Sequence, residues 1–301
     1  MATSQRRGVI RLAALIWMGV VSIAWATQAT HYDHTTVDKP PFYQIDYHGK
    51  RAYILGSMHV GKADFYPMAA QIEAQFHKAS ALVVEANVDA VDSTELIKKY
   101  GFQPQTLASD TQQALLGYCQ TRGPLCDGIK PLSPWLQSMQ LSLARFAELG
   151  YHAQYGVDVT LMAQNQHRPI IELESTEFQL KLMASFNDNI QNAMIKEAIE
   201  VSDDDMRALV TAWRTGDDKQ LAKMMTAQSQ LDSDDEFIEQ LLFKRNQSMA
   251  QRIEQLMTTS PQTETLFIVI GAGHLVGERS VPEYLTHLGA TMTHCWQQQC
   301  G

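Results

Sequence analysis

The stretch Leu266-Phe267-Ile268-Val269-Ile270-Gly271-Ala272-Gly273-His274 decides the fold. Its apolar run, Leu266 to Ile270, is the most strand-like in the chain, and such runs belong to strands covered on both faces. A second run, Arg51 to Leu55, passes in the same way into Gly56-Ser57-Met58-His59, and each His is soon followed by a further glycine, Gly61 and Gly277. The glycines are expected to let the backbone turn sharply off each strand, leaving His59 and His274 in the crevice where α/β sheets place their ligands.

Two more short apolar runs end in carboxylates: Ala81 to Glu85, and Ile170 to Glu174. A strand that apolar does not carry a charge inward without a partner. If the four strands are neighbours, His59, Glu85, Glu174 and His274 converge, and two imidazoles with two carboxylates are the donor types of a hydrolytic metal site. Glu172, two residues from Glu174, shares its face while the strand stays extended and is a substitute candidate. Between about Asp235 and Met257 an apolar helical stripe of Leu241, Leu242, Met249, Ile253 and Leu256 also contains Arg245. Such an arginine calls for a carboxylate partner; it either forms a structural salt bridge or points into the crevice to orient a ligand or stabilise an oxyanion. Asp158 is read as a helix N-terminal charge, a partner for Arg245, or a group that orients a histidine.

Working outward, Phe42–Asp46 and Arg51–Leu55 form a hairpin around Tyr47-His48-Gly49-Lys50, and Pro67–Lys78 carries helical spacing. Helical and loop-like sequence fills about 93–155, with Pro134-Trp135 opening a helix. Val157–Asn165 is helical, Ser175-Thr176 offers a cap, and helix continues to about Thr259 with breaks near Gly216 and near Asp232-Ser233-Asp234-Asp235. Tyr284–Leu288 is helical and Ala290–Cys295 extended. The expected fold is α/β: a central mixed β-sheet with flanking helices and a helical insertion, one domain over 42–301.

At the N-terminus Arg6, Arg7 and Arg11 precede the apolar run Leu12–Ala26, which closes on Ala24-Trp25-Ala26. This reads as an export signal over 1–26 followed by a polar leader, 27–41; about 15 apolar residues are short of the roughly 20 of a membrane anchor. The expectation is an exported protein, periplasmic or secreted, with no stable membrane anchor after cleavage. In an oxidising compartment Cys119 with Cys126, and Cys295 with Cys300, form local disulfides rather than a four-cysteine zinc site, whose knuckles need tighter spacing. The net charge of −9 opposes nucleic-acid binding. There is no His-Glu-x-x-His helix, no Gly-x-Ser-x-Gly elbow and no Walker loop. Asn246-Gln247-Ser248 matches a glycosylation acceptor but falls in a helix.

Gly56-Ser57-Met58-His59, Val83-Val84-Glu85, Lys130 to Trp135, Gly156-Val157-Asp158, Leu173-Glu174-Ser175, Arg245-Asn246 and Gly271 to Gly277 together resemble the TraB/PrgY/GumN family, which includes the Tiki proteases. The resemblance implies a fold related to the erythromycin esterases and haem-binding ChaN-like proteins, and a peptidase that uses a divalent metal, manganese or cobalt, with zinc possible as a third. His59 and His274 then correspond to the motif histidines, Glu85 and Glu174 to the carboxylates and Arg245 to the motif arginine. Ser175 stands where many relatives have Thr, and the C-terminal membrane segment of Tiki and TraB-type members is missing. The leading expectation is a metallopeptidase acting on a peptide or small-molecule substrate. Its rivals are a non-catalytic binder of haem or peptide at the same crevice, and an esterase.

Overall fold

Strand β5 (Leu266–Gly271) is buried along its whole length at the centre of a computed structural model that describes residues 37–87, 93–226, 234–261 and 264–301. The expected export signal and most of the polar leader lie outside the described residues. With β1 (Phe42–Tyr47), β2 (Lys50–Ser57), β3 (Ala81–Val84), β4 (Ile170–Glu172) and β6 (Thr291–His294) it forms a six-stranded mixed sheet in the order β4-β3-β5-β2-β1-β6. Neighbours from β4 to β2 run parallel; β1 is antiparallel to both β2 and β6. The four strands read as carrying the site residues are therefore adjacent, as the α/β reading requires.

Alternation along β5 explains the two cores. Phe267 and Val269 join Tyr53, Leu55, Leu82 and Val84 on one face, whereas Leu266, Ile268 and Ile270 join Ala52, Ile54, Ala81 and Val83 on the other. The first face is covered by α1 (Ala70–Lys78) and by helices introduced below, the second by the apolar stripe that contains Arg245.

Between β3 and β4 come α2 (Ser93–Gly101), α3 (Ser109–Cys119), α4 (Gly123–Ile129), α5 (Pro134–Glu148) and α6 (Val157–Ala163). Between β4 and β5 come α7 (Thr176–Ser185), α8 (Asp188–Glu200), α9 (Asp203–Thr215), α10 (Asp218–Thr226), α11 (Asp234–Ile238), a π-helical turn at Glu239–Phe243, and α12 (Lys244–Thr259); α13 (Val281–His287) precedes β6. The helices of about 93–155 do not pack by themselves. Trp135, Leu136 and Leu141 share an apolar cluster with Leu180 and Met183 of α7 and Ile190 and Ile195 of α8. Helices from both long excursions thus share one apolar cluster.

Helix boundaries follow local chemistry. The side chains of Ser175, Asn187 and Ser202 accept hydrogen bonds at the starts of α7, α8 and α9, and Gly216 ends α9 with φ +72°. The Cys119–Cys126 and Cys295–Cys300 disulfides are both formed. Among the described residues no helix is long and apolar enough to cross a membrane.

Candidate functional site

The chain leaves β3 toward β4 on one side of the sheet and leaves β5 toward β6 on the other, so a crevice opens between their carboxyl ends. Register brings the motifs there together. Ser57 lies opposite Gly271, which sets the chain leading to His59 beside that leading to His274. Glu85 directly follows β3, and the Glu174 backbone N–H donates to the Glu85 carbonyl at 2.7 Å.

Gly277, with φ +78°, turns the backbone as expected, whereas Gly56 and Gly61 serve this meeting in another way. Gly56 does not have a positive φ; a Cβ there would stand 3.0 Å from Ala272 Cα, so the absent side chain lets the two motif strands close together. A Cβ on Gly61 would lie 2.2 Å from the Tyr155 carbonyl oxygen, which brings the loop after His59 against the turn that precedes α6.

Arg245 is the hub. Its Nε donates to Glu174 at 2.9 Å, and its Nη2 to Glu174 at 2.7 Å and to Glu85 at 3.0 Å. Its Nη1 donates to the Leu241 carbonyl at 3.0 Å and lies 3.1 Å from His274 Nε2. A guanidinium has five N–H donors, and these contacts engage them all. Arg245 thus forms the structural ion pair that one sequence reading called for, and it does so at the strand ends. It would have to release a present acceptor before stabilising an oxyanion. The π-helical turn Glu239–Phe243, in which Lys244 N–H bonds back to the Glu239 carbonyl, immediately precedes it and includes the Leu241 carbonyl it uses.

Sequence reasoning passed over two amides that complete the cluster. Gln179, in the first turns of α7, donates to Glu174 at 3.0 Å and reaches Glu85 at 3.4 Å. Asn246 is 1% exposed; its Nδ2 donates to the Arg279 carbonyl at 2.8 Å, which turns its Oδ1 toward His274 Nδ1. The carbonyl fixes the amide orientation, so His274 carries its proton on Nδ1 and presents the Nε2 lone pair to Arg245. Burial and the neighbouring Arg245 charge hold the His274 pKa well below the usual 6.5. A signal for Gln179 existed only in its short spacing from Glu174. Asn246 stood in the sequence as part of the Arg245-Asn246 phrase and as a glycosylation acceptor, a role its burial opposes, but with no role at His274.

His59 Nδ1 lies 3.0 Å from Asp158 Oδ2, both largely buried. Asp158 occupies the first turn of α6, as the helix-charge reading has it, and its carboxylate also stands next to His59, whereas Arg245 takes other partners. Glu85 also accepts from Gly271 N–H. Glu172 does not share the site: β4 ends with it, and its carboxylate accepts from Asn87 N–H at 2.6 Å. Among the described residues, no three His, Cys, Asp or Glu side chains gather in a manner that could hold a metal ion.

A buried, charge-compensated polar cluster at the switch point of a mainly parallel sheet, where such folds place their ligand sites, defines the class: an α/β protein with ionisable residues gathered at its strand ends. The TraB/PrgY/gumN family profile matches residues 41–294, and the chain belongs to that family. It is 26% identical over 281 residues to proteins of Shigella flexneri and of Escherichia coli (strain K12), both named uncharacterized protein YbaP; the match covers 88% of this chain and 97% of each relative. No solved structure matches the chain.

Proposed function

We propose that the chain is an exported, periplasmic hydrolase of peptide bonds, with His59 as the base that activates water. The observation that carries this reading is the His59–Asp158 contact of 3.0 Å at the end of β2, beside the Arg245 cluster. The Asp158 charge beside the ring stabilises the imidazolium that forms; Nε2 takes a proton from water as the oxygen attacks the carbonyl, then returns it to the departing amine. Glu85 and Glu174 are saturated by Arg245, Gln179 and Gly271, so they serve as a scaffold in this reading.

A second reading, the metallopeptidase, is favoured by the donor chemistry of two imidazoles and two carboxylates at one sheet edge, with His274 Nδ1 held by an amide oxygen as metal-bound imidazoles are. As they stand the residues do not fit a divalent ion: the Arg245 guanidinium lies between the carboxylates and faces His274 Nε2. No step is routed through a metal.

The test is turnover of a peptide library, with ester substrates alongside, by purified wild type, His59→Ala and Asp158→Asn. Loss of cleavage in His59→Ala, and a fall in kcat at little-changed KM in Asp158→Asn, with both variants folded by circular dichroism, is expected. Undiminished cleavage in His59→Ala removes the proposed base. Ligand capture without turnover by the wild type would favour the binder.

A further inference from the structure

The two buried carboxylates at the ends of β3 and β4 are already bridged by a cation, and that cation is part of the chain. We infer that Arg245 and a divalent metal ion compete for one position between Glu85 and Glu174, so that the protein excludes the metal for as long as the guanidinium stays.

Several observations point the same way. The Arg245 side chain is 2% exposed, and those of Glu85 and Glu174 are 8% and 6% exposed, so the cluster is nearly closed to water. One Nη2 bridges the carboxylates at 3.0 and 2.7 Å, the bridging role a metal would take, and Nη1 faces the lone pair of His274, the nitrogen that would ligate one. Charge supplies the second argument. One guanidinium balances one of two carboxylates, whereas a divalent ion would balance both, so removing the arginine leaves a position for which the ion is the better match. The backbone supplies the third. The π-helical turn before Arg245 is a rare arrangement that recurs at functional positions, and here one of its carbonyls holds the guanidinium. None of this depends on hydrolysis; a binder would exclude the metal equally.

Wild type, Arg245→Met, Arg245→Lys and the neutral triple variant Arg245→Met/Glu85→Gln/Glu174→Gln are stripped with chelator and dialysed against manganese. Bound metal is read by elemental analysis and the melting temperature with and without manganese. Expected are no retained manganese and no shift in the wild type, Arg245→Lys and the triple variant, against stoichiometric manganese and a raised melting temperature in Arg245→Met. If Arg245→Met does not fold alone, refolding in manganese or in methylguanidinium recovers it when the position is shared; recovery by neither overturns the inference. Stoichiometric manganese in the wild type, lost in Glu85→Gln/Glu174→Gln, also overturns it, and so does a folded Arg245→Met that takes up none. These outcomes leave the role of His59 to be judged separately, by the manganese-free turnover of His59→Ala.

Discussion

Replacing Arg245 by Met, which keeps much of the stem and removes the charge, should be among the most destabilising single changes in the protein. The side chain is 2% exposed and touches two carboxylates that are 8% and 6% exposed, so its loss strands two buried charges. Removing one partner from a buried ion pair costs about 3–5 kcal/mol. At roughly 2–4 °C per kcal/mol, the value for domains of about 150–250 residues, the melting temperature falls by about 6–20 °C in metal-free buffer. Urea unfolding followed by circular dichroism gives the free energy directly. The triple variant with Glu85→Gln and Glu174→Gln separates causes, because it removes the stranded charges and should regain a large part of the loss. A cost in Arg245→Met below about 0.5 kcal/mol, the scale of surface substitutions, would refute the reasoning, and so would a triple variant no more stable than the single one.

Three further outcomes follow from the geometry. The His274 pKa is depressed by burial and by Arg245, so the unfolded chain binds a proton that the native state refuses; stability is full above the unfolded value of 6.5 and declines as pH falls below it, with a slope up to about 1.4 kcal/mol per pH unit. His274→Gln should flatten that decline in urea midpoints measured from about pH 7 to about pH 5, and an unchanged slope assigns it to other groups. Opening the Cys295–Cys300 disulfide by Cys295→Ser/Cys300→Ser should cost roughly 2 kcal/mol for so short a loop, measured by denaturation under oxidising conditions; no loss would mean that the pairing of β6 with β1 holds the C-terminus without it. Gly61→Ala forces a Cβ against the Tyr155 carbonyl and should cost about 1–3 kcal/mol with a fall in turnover, whereas a neutral result would show that the loop yields.

The strands and their ends were legible because local chemistry dictates them. β5 could be read from its β-branched run, and the four site residues stood where apolar strands stopped. What the four do to one another was not legible. That Arg245 spends its donors on Glu85, Glu174 and His274, and that Gln179 and Asn246 complete the set, depends on sheet order and on a π-helical turn that shifts the helical register. A 3.6-residue periodicity laid along 235–257 carries no sign of that shift. Gly277 turns the chain as read, but Gly56 and Gly61 were misread in purpose, because close approach between segments distant in sequence leaves no local trace. Helix starts at Asn187 and Ser202 went unread inside a long helical stretch although both residues are good caps and each is followed by an acidic residue suited to a first turn.

Strand order also governs when the protein becomes itself. β2 and β3 follow one another closely in the chain, yet β5 lies between them, and β5 begins only at residue 266 of 301. As the chain emerges from the ribosome, β2 and β3 lack the partner that lies between them until β5 has been made, a long interval, and such sequence-distant pairing forms slowly. Through that interval only the β1–β2 hairpin, whose strands follow each other directly, has its partner at hand. The strand that ends the interval also delivers His274, so assembly of the sheet and completion of the polar cluster are one event.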